Sequence, residues 1–245
     1  MLPNGKHFFL SLSPIINHIM SRYLYLIVVS LLISAFTSAQ NYYRICGDFS
    51  IKSKSEDKAQ LVMGRFYYDI NEKKIIHNNT FPEKAKWVTA DTSIYKIVDN
   101  AIVSRQTIPD FTPFSIYNIV LTNKLDNFGL DGSYYKLDKV EHEGDMVIST
   151  WVPQKSLRKV AGDILISSKN NNIYGVVFRN IDGKLLKKQF FEEYAIYNGL
   201  AFPGRIVEIT YVDGKEIYQI TTYKNILVND HGEEDMYHFN PVDYQ

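Results

Sequence analysis

The side chains of this 245-residue chain that could do chemistry are few and scattered. Its one cysteine, Cys46, stands in the run Tyr43-Arg44-Ile45-Cys46-Gly47-Asp48-Phe49. A nucleophilic thiol needs a cationic neighbour or a helix N-terminus to lower its pKa. Arg44, two residues away on the same strand face, is the one group that offers this, so a buried, inert thiol is the expectation. His77, His142, His231 and His238 include no His-x-x-x-His pair of the kind that holds zinc on a helix. The densest cluster is His231, Glu233, Glu234, Asp235 and His238. Its oxygens and imidazoles suit hard or borderline cations, but an acidic chain end is more simply a solvated tail. Glu192 and Glu193 are adjacent, so on a strand they point to opposite faces and cannot share acid–base work. There is no Gly-x-Ser-x-Gly elbow, no glycine-rich phosphate loop and no Ser/His/Asp arrangement. Neither an enzyme, nor a cofactor, nor a metal site is expected.

Composition narrows the classes further. The chain has 27 basic and 27 acidic residues, which argues against a phosphate-binding surface and so against a nucleic-acid partner. A single cysteine cannot build a disulfide framework, and 45% hydrophobic residues exclude disorder. The N-terminal part has its own character. From Met20 the chain shows Arg22, the apolar run Tyr23 to Ile33, then small residues at Thr37 and Ala39. This is the layout of a secretory signal peptide cut after Ala39, with Met20 as the start. The apolar run is shorter than the ~20 residues a membrane-spanning helix needs. Lys6 and Arg22 are the only charges before residue 40, leaving 25 basic against 27 acidic residues in 40–245.

Elements that could position a site are almost all strands. Runs such as Leu61 to Tyr68, Met146 to Trp151, Ile206 to Tyr211 and Ile217 to Tyr223 alternate with period two and are rich in β-branched and aromatic residues. Asn71-Glu72, Asp99-Asn100, Glu143-Gly144, Asn170-Asn171, Asp182-Gly183, Asn198-Gly199 and Asp213-Gly214 are turn dipeptides. About eleven strands joined this way predict a mainly β fold, an antiparallel meander curling into a half-open barrel. One segment departs from that. Thr112 as N-cap, Pro113 at the first helical position, and Phe114, Tyr117, Leu121 and Leu125 on one face predict a short amphipathic helix. The basic stretch from Pro153 to Val160 is a loop or one helical turn. No linker or repeat interrupts 40–245, which is expected to form one domain with a polar, acidic tail.

Phe66, Tyr68, Tyr95, Ile97, Val147, Trp151, Phe178, Phe190, Phe191, Val207 and Ile209 give the strands more apolar surface than one short helix can cover. Either it fills a packed core or it lines a cavity for a hydrophobic ligand. In the second case the lining falls to Phe66, Tyr68, Tyr95, Ile97, Val147 and Phe178, with Phe114, Tyr117 and Leu121 as cover.

Several stretches in order along the chain resemble the LolA/LolB-like lipoprotein-localisation superfamily. They are Gly64-Arg65-Phe66-Tyr67-Tyr68, Phe81-Pro82, Trp87 to Asp91, Ile94 to Ile97, Thr112-Pro113-Phe114, Glu143 to Ile148 and Asn198 to Pro203. The resemblance implies a half-open β-barrel with a short helical lid, exported to the periplasm of a Gram-negative bacterium. It further implies a monomer that shields acyl chains of lipoproteins or lipids and exchanges them with membrane-bound donor and acceptor proteins. The Arg-Pro step that such carriers place in the early hairpin is replaced here by Tyr67-Tyr68-Asp69-Ile70-Asn71. The alternative is an envelope protein with a filled barrel, serving as a structural or interaction accessory in outer-membrane assembly or secretion.

Overall fold

The computed structural model describes residues 41–55 and 58–244; the expected signal segment from Met20 to Ala39 lies outside them. Thirteen strands form one antiparallel sheet. The first meander comprises β1 (Arg44–Ser55), β2 (Lys58–Asp69), β3 (Lys74–Phe81), β4 (Ala85–Ala90), β5 (Ser93–Val98) and β6 (Ala101–Thr107). The second comprises β7 (Tyr135–Glu143), β8 (Met146–Pro153), β9 (Ile164–Lys169), β10 (Asn172–Arg179), β11 (Leu185–Tyr197), β12 (Leu200–Val212) and β13 (Lys215–Val228). All seven expected turn dipeptides fall at strand junctions. At Asp99-Asn100, Asn170-Asn171, Asn198-Gly199 and Asp213-Gly214 both residues have positive φ, the geometry that matches the twist of tight hairpins. The count exceeds eleven because β4, β5 and β6 are only six or seven residues long and follow one another through two-residue turns. Pro153 to Val160 folds as turns.

The two meanders are joined by the pairing of β1 with β13, from Ile45 opposite Val228 to Lys54 opposite Tyr218. This leaves β6 and β7 as the two free edges, so the sheet curls but does not close. The chain must therefore travel from one edge to the other between residues 107 and 135, and it does so across one face. That crossing carries a 3-10 turn at Thr112–Phe114 and then α1 (Ile116–Leu121). The helix starts later than the sequence suggests. Pro113 opens the 3-10 turn, and Ser115 is the true N-cap of α1, its Oγ accepting from the Asn118 N–H at 3.3 Å.

Each face of the sheet has its own core. Ile45, Phe49, Phe66, Tyr68, Trp151, Ile166, Val176, Phe191, Phe202 and Tyr223, from strands spread across the sheet, converge with α1 in one cluster. That convergence identifies the concave face. On the outer face, Cys46, Tyr67, Ile76, Val88, Tyr95 and Ile97 form a second cluster with Tyr237 and Phe239 of the C-terminal segment. The acidic tail is thus no loose solvated end, since Tyr237 and Phe239 are buried. Glu234 accepts from both terminal nitrogens of Arg44, at 2.5 and 3.0 Å, and Glu233 pairs with Arg65 at 3.0 Å. Arg44 is itself buried, stacks on the Tyr237 ring at 4.5 Å and meets Asp69 at 3.0 Å. Satisfying that buried guanidinium is a physical reason for acids in the tail.

Candidate functional site

Alternation along the strands decides which of the expected lining residues share a face. Phe66, Tyr68, Tyr117 and Leu121 are buried together in the concave cluster, and Phe114 and Phe178 pack against its margin. Tyr95 and Ile97 are on the other side of the sheet, under the C-terminal segment. The parity of β5 is set by its pairing with β4, where Tyr95 opposes Val88 and Ile94 opposes Thr89. Trp87, opposite the concave His77, occupies the position on the inner face that Tyr95 was expected to hold. Val147 lies beyond the packed cluster, in an open part of the concave face.

The centre of that face is filled. Tyr117 projects from α1 into an aromatic group, stacked on Phe66 at 4.5 Å between ring centroids, with Phe202 at 6.4 Å and Tyr223 edge-on at 6.1 Å. Its hydroxyl lies 3.2 Å from His77 Nε2 and 3.4 Å from the Tyr223 hydroxyl. Beside it, the Tyr68 hydroxyl donates to Asn118 Oδ1 at 2.8 Å. Gly47 lets the floor come this close, since a Cβ there would stand 2.5 Å from Ile226 Cδ1 and 3.2 Å from the Phe66 ring. Five of the six residues of α1 are buried. Burial beneath the helix pushes the pKa of His77 down to about 4 and that of Tyr223 up to about 12. The relay is therefore neutral at physiological pH, and its role is to fasten the helix to the floor.

Toward the β7 edge the concave face opens into a cavity of about 890 Å3. Leu137, Val140, Val147 and Trp151 give it an apolar wall, and Ser149, Gln154 and Ser168 place hydroxyl and amide groups along it. The segment Asp126–Ser133, which continues the crossing beyond α1, forms the opposite side. The cleft is thus two-sided, an apolar strip on the strands facing polar groups on the crossing, and apolar surface with placed polar groups is the form small-molecule sites take. Trp151 and Val147 signal it in sequence, but Leu137 and Val140 sit in an otherwise charged strand, Tyr-Lys-Leu-Asp-Lys-Val-Glu-His-Glu, where alternation alone gives them no partner.

Cys46 and the acids of the tail lie on the other face of the sheet. Cys46 is fully buried under the tail, 3.5 Å from Arg65, and burial pushes its thiol pKa up, so it remains protonated. Glu233 and Glu234 are occupied by Arg65 and Arg44. Among the described residues no group of three or more His, Cys, Asp or Glu side chains is arranged to hold a metal ion, and no helix is long and apolar enough to cross a membrane.

No protein-family model and no curated protein sequence matches the chain. Solved structures do. A LolA superfamily protein from Nitrosomonas europaea superposes with a TM-score of 0.54 over 81% of this chain and 91% of its own, at 13% identity. The fold is LolA-like. A DUF1329 family protein from Desulfovibrio piger gives 0.57 over 84% and 93% at 10% identity. A domain described as that of an outer membrane lipoprotein-sorting protein, from Vibrio parahaemolyticus, gives 0.50 over 82% and 92% at 11% identity. At these identities the likeness is one of architecture. The crossing helix over a half-open sheet is the feature of this fold expected from the Thr112-Pro113-Phe114 resemblance.

Proposed function

We propose that this protein binds an acyl chain of a lipid or lipoprotein in the cavity beside β7 and carries it through the periplasm of a Gram-negative bacterium. The observation that supports this most is the open, apolar-walled cleft of about 890 Å3 on the concave face, lined by Leu137, Val140, Val147 and Trp151. Burial of an acyl chain there would be driven by about 0.8 kcal/mol for each methylene removed from water. The cleft is bounded by a free sheet edge, so a chain can enter sideways without threading. The LolA and lipoprotein-sorting descriptions of the similar folds, and the leader-like sequence from Met20 to Ala39, agree with an exported carrier. The residues that would do the binding are then Val147 and its neighbours, with Phe178 and Phe114 at the inner margin, rather than Tyr95 or Ile97.

A filled barrel acting as an interaction accessory is the competing reading, and the Tyr117 plug is the observation in its favour. Native mass spectrometry of protein purified from the periplasm distinguishes the two. Co-purifying acyl species are expected for a carrier. Protein that is repeatedly empty, and that also fails to take up a fluorescent fatty acid, would overturn the carrier.

A further inference from the structure

The outer face of the sheet is covered over only part of its width. Across β1–β5 the C-terminal segment lays Tyr237 and Phe239 onto it. Across β11–β13 nothing among the described residues does so, yet Phe190, Val207, Ile209 and Ile220 lie there side by side. Two cross-strand rows define the bare area. Phe190 stands opposite Val207, Val207 opposite Ile220, and Ile220 opposite Lys52 of β1. One step along the strands, Lys188 stands opposite Ile209, Ile209 opposite Tyr218, and Tyr218 opposite Lys54. Phe191 and Ile206, on the alternate positions, belong to the concave cluster, so these rows face outward. Tyr218 is 43% exposed, and Tyr174, which meets the Phe190 ring edge-on at 6.5 Å, is 46% exposed.

Three lysines lie along the two apolar rows. Lys52 and Lys54 end the two rows, and Lys188 lies within the second, over the Tyr211 ring at 5.6 Å. Arg205 is shared by Glu192 at 3.3 Å and Glu193 at 3.8 Å, and Glu216 is bound by the Tyr218 hydroxyl. Lysines set along apolar rows, in a chain whose residues 40–245 are slightly acidic overall, are a local feature and not a consequence of composition. Apolar side chains framed by tyrosines, whose rings are amphipathic, and by lysines, whose long stems let the ammonium reach headgroups, have the makeup of a membrane-interface surface.

We propose that the outer face of β11–β13 docks the protein on an anionic phospholipid surface, with Phe190, Val207, Ile209 and Ile220 at the interface and Lys52, Lys54 and Lys188 on the headgroups. A second protein of this chain is a poorer occupant, because an isologous contact would bring these same lysines toward one another. The proposal goes beyond acyl binding and uses the opposite face of the sheet, so the two can fail separately.

Co-sedimentation of the protein with vesicles of phosphatidylethanolamine and phosphatidylglycerol tests it, with phosphatidylcholine vesicles as the neutral comparison. Binding to the anionic vesicles is expected, weakening as salt rises. Each lysine near the surface is worth about fivefold in partitioning, so K52Q, K54Q and K188Q together should weaken binding about a hundredfold. These three substitutions touch no core residue, and an unchanged melting temperature would show that the fold is intact. F190S should weaken binding on the anionic vesicles as well. Absence of binding by the unmodified protein, or binding unaffected by both variants, would overturn the proposal. So would a concentration-dependent dimer abolished by the same substitutions, since that assigns the face to a second copy. The acyl species seen by native mass spectrometry should be the same in the lysine variant as in the unmodified protein, which separates loss of docking from loss of cargo.

Discussion

The centre and the β7 end of the concave face are built from the same kind of strand and reach opposite outcomes. At the centre, Phe66 of β2, Phe202 of β12 and Tyr223 of β13 rise toward a single helix, and Tyr117 fills the space between them. At the β7 end, Val147, Ser149 and Trp151 face the polar residues of the connecting segment, and a cavity of about 890 Å3 remains. The difference lies in the crossing chain. Its six-residue helix is apolar on nearly every side, whereas the stretch after it divides into Leu125, Phe128 and Leu130, buried in the concave cluster, and Asp126, Asn127, Asp131 and Ser133, which line the cavity. The apolar residues of that stretch extend the filled core, and its polar residues, which could not enter an apolar floor without leaving their groups unsatisfied, border the open part instead. The surplus of apolar surface apparent in the sequence is therefore both a filled core and a lined cavity, in two places.

Removing the plug should break the comparison most severely. Tyr117→Ala deletes the ring held between Phe66, Phe202 and Tyr223 together with its hydroxyl contacts to His77 and Tyr223. Truncation of a large buried aromatic costs about 3–5 kcal/mol, which chemical denaturation would register as a lower midpoint. If the two regions are separate, fatty-acid uptake by the folded fraction stays at the level of the unmodified protein. Uptake that rises instead would mean that the emptied centre has become part of the ligand cavity.

Mild acidification should act on the centre. His77 titrates near 6.5 when unfolded and near 4 beneath the helix. As pH falls from 6.5 toward 4, the unfolded chain takes up a proton that the folded chain refuses, so stability declines across that window. The groups facing His77 are the Tyr117 hydroxyl and the Phe49 ring, neither of which can neutralise an imidazolium. Below this window a second loss is expected at the tail, because the Arg44 guanidinium holds the Glu234 carboxyl down to about 2. His77→Phe should flatten the upper part of the pH–stability curve and leave the lower part unchanged, measured by thermal melts from pH 7 to pH 3.

The sequence made these regions legible to different degrees, for physical reasons. Turn chemistry is local, so Asn198-Gly199 or Asp213-Gly214 announces a hairpin without reference to the rest of the chain. Strand parity is not local. In β5 both faces carry apolar residues, Tyr95 and Ile97 on one and Ile94 and Val98 on the other, and only the pairing partners and the returning tail decide which side is inward. The tail misleads because its acids outnumber its aromatics, while what holds it is the burial of Tyr237 and Phe239 and the pairing of Glu233 and Glu234 with Arg65 and Arg44. Arginines at outward positions of β1 and β2 were the available signal. The cavity was only half visible, because Leu137 and Val140 acquire a common face through the bulge between Leu137 and Lys139, which shifts the register against β8.

The smallest effect on stability, and the sharpest on function, is expected from Val147→Glu. Val147 is half-buried on the cavity wall, opposite His142 of β7 and Ser168 of β9, with open space before it. A carboxylate there keeps its hydration while the cleft is empty, so the folded state should lose no more than about 0.5 kcal/mol, as for an exposed substitution. An acyl chain lying against the wall would strip that hydration and leave the charge with apolar contacts only. Affinity for a fluorescent fatty acid should consequently fall by at least tenfold, about 1.4 kcal/mol, with an unchanged melting temperature. Equal binding by Val147→Glu and the unmodified protein would place the ligand elsewhere. A matched loss of binding and stability would mean that the β7 end is packed in solution as tightly as the centre, and the contrast between the two regions would disappear.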